Sequence, residues 1–124
     1  MDEKAAWEDI LQRMIALEAS DLHAGPYQHV QMRLEGVLVS EAMVPTPSFL
    51  ESLVQSIISK EAWESLCKHD VDFAWSYQER RFRGNVYRMQ EGLGIALRLL
   101  PQHIPTPEEL GMPEALQTIA AVRD

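Results

Sequence analysis

A single cysteine, Cys67, stands in 124 residues, so no internal disulfide framework can form and a reducing compartment fits. It falls in a helical pattern, where a lone thiol is expected to turn inward as a small hydrophobe. No apolar run approaches the roughly 20 residues that a membrane-spanning helix needs. Asp2 and Glu3 stand where an export signal would carry basic residues, so a cytoplasmic location is expected. Lysine and arginine are few, 11 against 19 acids, and the formal net charge is -8. That balance argues against nucleic acid or an acidic membrane surface as partner. No Gly-x-x-x-x-Gly-Lys-Ser/Thr phosphate loop, Gly-x-Gly-x-x-Gly, His-Glu-x-x-His or Gly-x-Ser-x-Gly occurs. The chain taken alone therefore offers no catalytic centre and no metal site.

What is present is a run of two-residue alternation from Val71 to Pro101. Val71, Phe73, Trp75 and Tyr77 alternate with smaller or polar residues, as do Phe82, Gly84 and Val86, then Leu93, Ile95, Leu97 and Leu99. Turns at Glu79-Arg80 and Gln90-Glu91 make all three apolar faces coincide. Tyr77 then faces Phe82, Trp75 faces Gly84, and Gly84 leaves room for the indole; Phe82 faces Leu99 and Val86 faces Ile95. The opposite face carries Ser76, Arg83 and Arg98 in one row. Two cations directly across a sheet repel, and no acid of these strands stands opposite either. The residues alone leave two readings: solvated surface arginines, or a fork suited to phosphate oxygens supplied from outside the meander.

Before the meander, apolar residues from Ala6 to Ile15 predict a helix over about Glu3 to Leu17. Ala19-Ser20-Asp21-Leu22-His23 reads as a short edge strand or loop, and Val30 to Val39 as a hairpin turning at Glu35-Gly36. His23 and His29 are expected to form structural hydrogen bonds. Thr46 caps and Pro47 opens a helix with Leu50, Leu53, Val54, Ile57 and Ile58 on one face. A second begins at Ser59, with Trp63, Leu66 and Cys67 inward. Asp70 and Asp72 read as a strand-entry cap and a solvent-facing charge. After the meander, Pro101, Pro105, Pro107, Gly111 and Pro113 punctuate a linker, and Leu116 to Val122 resume helical spacing. The abrupt stop at Asp124 leads one to expect a longer polypeptide.

Four pieces in order resemble the N-terminal domain of the PilT-type ATPases, the type IV pilus retraction motors of twitching motility within the type II and type IV secretion ATPase superfamily. They are Ala19-Ser20-Asp21-Leu22-His23; Arg33-Leu34-Glu35-Gly36; Asp72-Phe73 with Arg81-Phe82-Arg83-Gly84-Asn85; and Ala96-Leu97-Arg98-Leu99-Leu100-Pro101 running into Ile104 to Pro113. The departures are Gly25, which comes early, and His29-Val30 where the family carries a proline pair. The resemblance implies an α+β fold, a PAS-like antiparallel β-sheet with packed α-helices. It places an N-terminal PAS-like domain over 1–113, and a Pro-rich linker and helix over 101–124 leading to a RecA-like ATPase domain. It further implies a homohexamer that uses ATP and Mg, works in the cytoplasm against an inner-membrane pilus or secretion platform, and binds no nucleic acid. Arg83 and Arg98, with Arg81 as a third, match the family's arginines that reach the nucleotide phosphates. A stand-alone PAS-like sensor and a purely structural assembly module are the alternatives.

Overall fold

The computed structural model describes residues 2–102. Helix α1 (Glu3–Ala16) starts at Asp2, whose carboxylate accepts from the Ala5 N–H at 2.7 Å and satisfies one of the donors that every helix start leaves open. Five of the six strands and three helices then share one core. The elements that follow are β1 (Asp21–Ala24), β2 (Gln31–Leu34), β3 (Val37–Ser40), α2 (Pro47–Ile57), α3 (Lys60–Ser65), β4 (Val71–Tyr77), β5 (Arg80–Met89) and β6 (Gly92–Leu99).

The strands form one antiparallel sheet in the order β3-β2-β1-β6-β5-β4. This is the α+β class expected from the sequence. Side chains alternate across the sheet, so Leu22, Met32, Phe82, Val86, Ile95 and Leu97 all fall on one side. Trp7, Ile10, Leu11 and Met14 of α1, Leu50 and Val54 of α2, and Leu66 after α3 join them in a single cluster. Thr46 caps α2, accepting from the Phe49 N–H, while its own hydroxyl and N–H donate to Glu3. The starts of α1 and α2 are thereby joined over the core.

Several expectations need correction. The segment around Asp21 is no edge strand: β1 sits centrally between β2 and β6, and among the described strands β3 and β4 are the edges. The β4–β5 turn lies at Gln78-Glu79, with φ of 49° and 63°, one residue earlier than expected. Pairing therefore shifts by two: Trp75 faces Phe82, Phe73 faces Gly84, and Tyr77 faces Arg80. Because two is the side-chain period of a strand, every residue keeps its face. The room left by Gly84 is filled by Phe73, whose ring occupies the place where a Cβ would lie, and the indole of Trp75 instead packs on Phe82. Pairing of β5 with β6 follows the expected register throughout, from Phe82↔Leu99 to Met89↔Gly92. Cys67 is exposed, because α3 ends at Ser65 and the turn after it sends only Leu66 inward. The linker and last helix expected after Gln102 lie outside the described residues.

Candidate functional site

The face of the sheet opposite the three described helices carries the arginines. Register places Arg33 of β2, Asp21 of β1, Arg98 of β6, Arg83 of β5 and Ala74 of β4 directly opposite one another, in one line across five strands. Ser76, expected in this row, pairs with Arg81 instead, one step further along the same face. Arg83 and Arg98 thus stand side by side, pointing away from the core, with Arg81 beside them. Both Arg81 and Arg83 are exposed, and neither makes an ion pair among the described residues.

The row has one carboxylate, supplied from outside the meander by the strand expected at the edge. Asp21 Oδ1 accepts from Arg98 Nε at 3.3 Å, while Oδ2 accepts from Ser20 Oγ at 2.9 Å and faces Arg33 Nε at 3.8 Å. Arg33 also donates through Nη1 to the Gly36 carbonyl at 3.1 Å, which pins it to its hairpin turn. Partial burial works against ionisation of Asp21. The bonds from Ser20 and Arg98, with the charges of Arg98 and His23, outweigh it and hold the carboxyl below its ordinary value. Three guanidiniums against one carboxylate leave two positive charges in the row. Directly opposed side chains on paired strands have Cβ atoms only about 5 Å apart. In a chain of net charge -8, this face is a local reversal of sign. A shallow hollow of about 260 Å³ opens between these side chains, bounded by Asp21, His23, Asp72, Arg83, Asn85 and Arg98. Asp72 is taken up by Asn85 Nδ2 at 2.8 Å. His29 Nδ1 lies 2.8 Å from the Glu41 carbonyl. Among the described residues no three His, Cys, Asp or Glu side chains cluster as a metal ion would need.

Sequence reasoning missed a buried arginine at the end of the sheet. Arg80, expected in a turn, opens β5 on the inward face and is 4% exposed. Its Nη1 and Nη2 donate to the two Glu18 oxygens at 2.6 and 3.1 Å, and Nη2 also donates to the Leu100 carbonyl at 3.1 Å. Its Nε has no partner among the described residues. The bond from Arg80 holds the Glu18 carboxyl below its ordinary value. The clasp joins the α1–β1 turn to the point where the chain leaves β6. The parity of β5 was the available signal, since Arg80 shares the face of Phe82.

A six-stranded antiparallel sheet, with three helices on one face and an arginine row on the other among the described residues, defines an α+β domain. Comparison gives this class a closer relationship. The chain is 33% identical over 110 residues to the uncharacterized protein YggR of Escherichia coli K12, a match covering 88% of the chain and 33% of that protein. It is 26% identical over 120 residues to the type IV pilus ATPase PilU of Pseudomonas aeruginosa, covering 94% and 31%. Among solved structures it superposes on the pilus retraction motor PilT with bound ADP at a TM-score of 0.73 and 29% identity, over 87% of this chain and 33% of that one. The Legionella pneumophila ATPase DotB, at 21% identity and a TM-score of 0.73 over 95% and 34%, shares the fold. No family model matches. The likeness to a domain of the type IV pilus and secretion ATPases, implied by the sequence motifs, holds over most of the chain. The chain spans about a third of the length of the curated relatives it matches.

Proposed function

We propose that this chain is the N-terminal regulatory and subunit-interface domain of a hexameric pilus or secretion motor ATPase. In that setting Arg83 and Arg98, with Arg81 beside them, reach the phosphates of ATP held by a RecA-like domain further along the same polypeptide. The observation that carries the proposal is the side-by-side projection of Arg83 and Arg98 from adjacent strands on the open face. Like charges directly across a sheet destabilise it by several tenths of a kcal/mol. An incoming polyanion turns that repulsion into attraction, and the planar fork of arginine suits phosphate oxygens. Similarity to a retraction motor solved with ADP supports the same reading.

The fork of Arg83 and Arg98 fits a phosphate, and in this reading Mg and the phosphate loop belong to the ATPase domain. The arginines contribute charge that appears at the phosphates only when the two domains close, which couples nucleotide state to rigid-body rotation. In this reading the N-terminal domain, 1–113, leads through the linker and helix, 101–124, to the ATPase domain, and the hexamer works in the cytoplasm against an inner-membrane platform. The net charge of -8 disfavours a nucleic-acid backbone as the polyanion.

Arg83→Ala and Arg98→Ala in the full-length ATPase test this reading. Each should lower ATP turnover roughly tenfold or more, by analogy with arginines that stabilise transferring phosphoryl groups, with circular dichroism unchanged. Wild-type turnover in both variants would remove the nucleotide role. One observation favours an assembly role alongside it. Edge strand β3 exposes Val37, Leu38 and Val39 at 62%, 45% and 36%, a surface suited to a neighbouring subunit.

A further inference from the structure

We propose that Asp21 is a built-in competitor for Arg98, a resident carboxylate that an arriving phosphate must displace, so that it sets the affinity of the arginine row. This regulation rests on the phosphate reading of the same site. The geometry around Asp21 carries it. Asp21 is directly opposite Arg98 and binds it through Nε. The two partners differ in freedom: the Asp21 side chain is 20% exposed and anchored by Ser20, whereas that of Arg98 is 71% exposed and free to swing.

When Arg98 leaves, Asp21 does not become an orphaned charge. Ser20 Oγ still donates to it, and Arg33, itself fixed to the Gly36 carbonyl, still faces it from the other side. The exchange of Arg98 from carboxylate to phosphate is therefore cheap, because neither anion is left bare. Arg83 has no such carboxylate opposite it, only Ala74 and Arg98. It offers first contact, and Arg98 is recruited second. Asp21 opposes that recruitment by holding Arg98 and by repelling the ligand's own charge. Its carboxylate lies within about a Debye length of anything seated between the two arginines.

Titration calorimetry of inorganic pyrophosphate into the 124-residue chain, at low ionic strength, tests the inference. Asp21→Asn keeps the size of the side chain and removes its charge, so binding should tighten by roughly threefold or more. On an Arg98→Ala background the same change should bring less than half that gain, because the competition acts through Arg98. An equal or weaker affinity in Asp21→Asn overturns the inference, as does a full gain without Arg98. A direct reading of the unsubstituted chain needs no variant to fold. The Asp21 carboxyl, followed by carbon NMR, should titrate at higher pH with saturating pyrophosphate than without it; an unchanged titration contradicts displacement. If Arg83→Ala and Arg98→Ala leave pyrophosphate affinity intact, the phosphate reading itself fails. If they weaken it while Asp21→Asn does not tighten it, only the competitor role is lost. Absence of binding by both the unsubstituted chain and Asp21→Asn overturns both.

Discussion

Substituting the two partners of the Arg80–Glu18 clasp one at a time should give unequal costs, with the acid the more expensive to lose. Glu18→Gln leaves the Arg80 guanidinium, its side chain 5% exposed, without a counter-ion. Breaking an ion pair buried on both sides costs roughly 3–5 kcal/mol. Glu18 is 61% exposed, so water and salt already weaken this pair, and the expected cost falls to about 1–2 kcal/mol. Arg80→Met removes charge and fork together while keeping most of the packed volume. It gives up two partly screened bonds and the donor to the Leu100 carbonyl, but it also removes a buried charge and an unpartnered Nε. Its cost should stay below about 1 kcal/mol. Urea denaturation of the two single variants and the double variant reads these differences as midpoint shifts at constant slope. The double variant should match Arg80→Met alone, since Glu18 bonds no other side chain among the described residues. If Arg80→Met proves costlier than Glu18→Gln by more than about 1 kcal/mol, the bonds of Arg80 outweigh its desolvation and the reasoning is refuted.

Other outcomes can be checked on the same chain. Gly84→Ala should destabilise by about 1–3 kcal/mol, because the new methyl meets the Phe73 ring and forces it aside; a thermal midpoint equal to wild type would show that the ring yields freely. Asp21, whose carboxyl is held below its ordinary value, should stabilise the fold at neutral pH by less than about 1 kcal/mol, its partners being exposed. The sign follows from the lowered pKa: this contribution is complete above the unfolded value, about pH 4, and fades as pH falls through the lower folded value. The stability difference between wild type and Asp21→Asn should therefore be flat from neutral pH down to about pH 5 and shrink below about pH 4. A difference that grows on acidification would contradict it.

The sheet was legible in the sequence to the extent that side-chain parity could carry it. Alternation fixed the inward face of β4, β5 and β6, and the Gln90-Glu91 turn gave the β5–β6 register. The β4–β5 turn was misplaced because neither Gln78 nor Glu79 is a residue that favours positive φ, so nothing local marks it. Strand order was not legible. Asp21 meets Arg98 across 77 residues, and no local pattern says which strand the short β1 will join. Arg83 and Arg98 were found from the meander alone, but Asp21 and Arg33 were missed as members of the row because β1 and β2 were not placed beside it, and Arg80 was missed with the turn. The cap at Thr46 and the helix starts near Glu3 and at Ser59 were readable in the residues themselves, because they depend on a few adjacent positions; that Asp2 and Ser59 also cap came from the structure.

The central seat of β1 has a consequence for how the molecule assembles itself. Hairpins β2–β3, β4–β5 and β5–β6 close over short spans, whereas β1 must find β6 after most of the chain has been laid down. Until it does, the meander stands with a bare β6 edge and with positive charge unrelieved, a species prone to capture stray strands or polyanions. Pairing of one four-residue strand covers the β6 edge and brings the arginine row its one carboxylate among the described residues, so completion of the scaffold and restraint of its charge rest on the same contact.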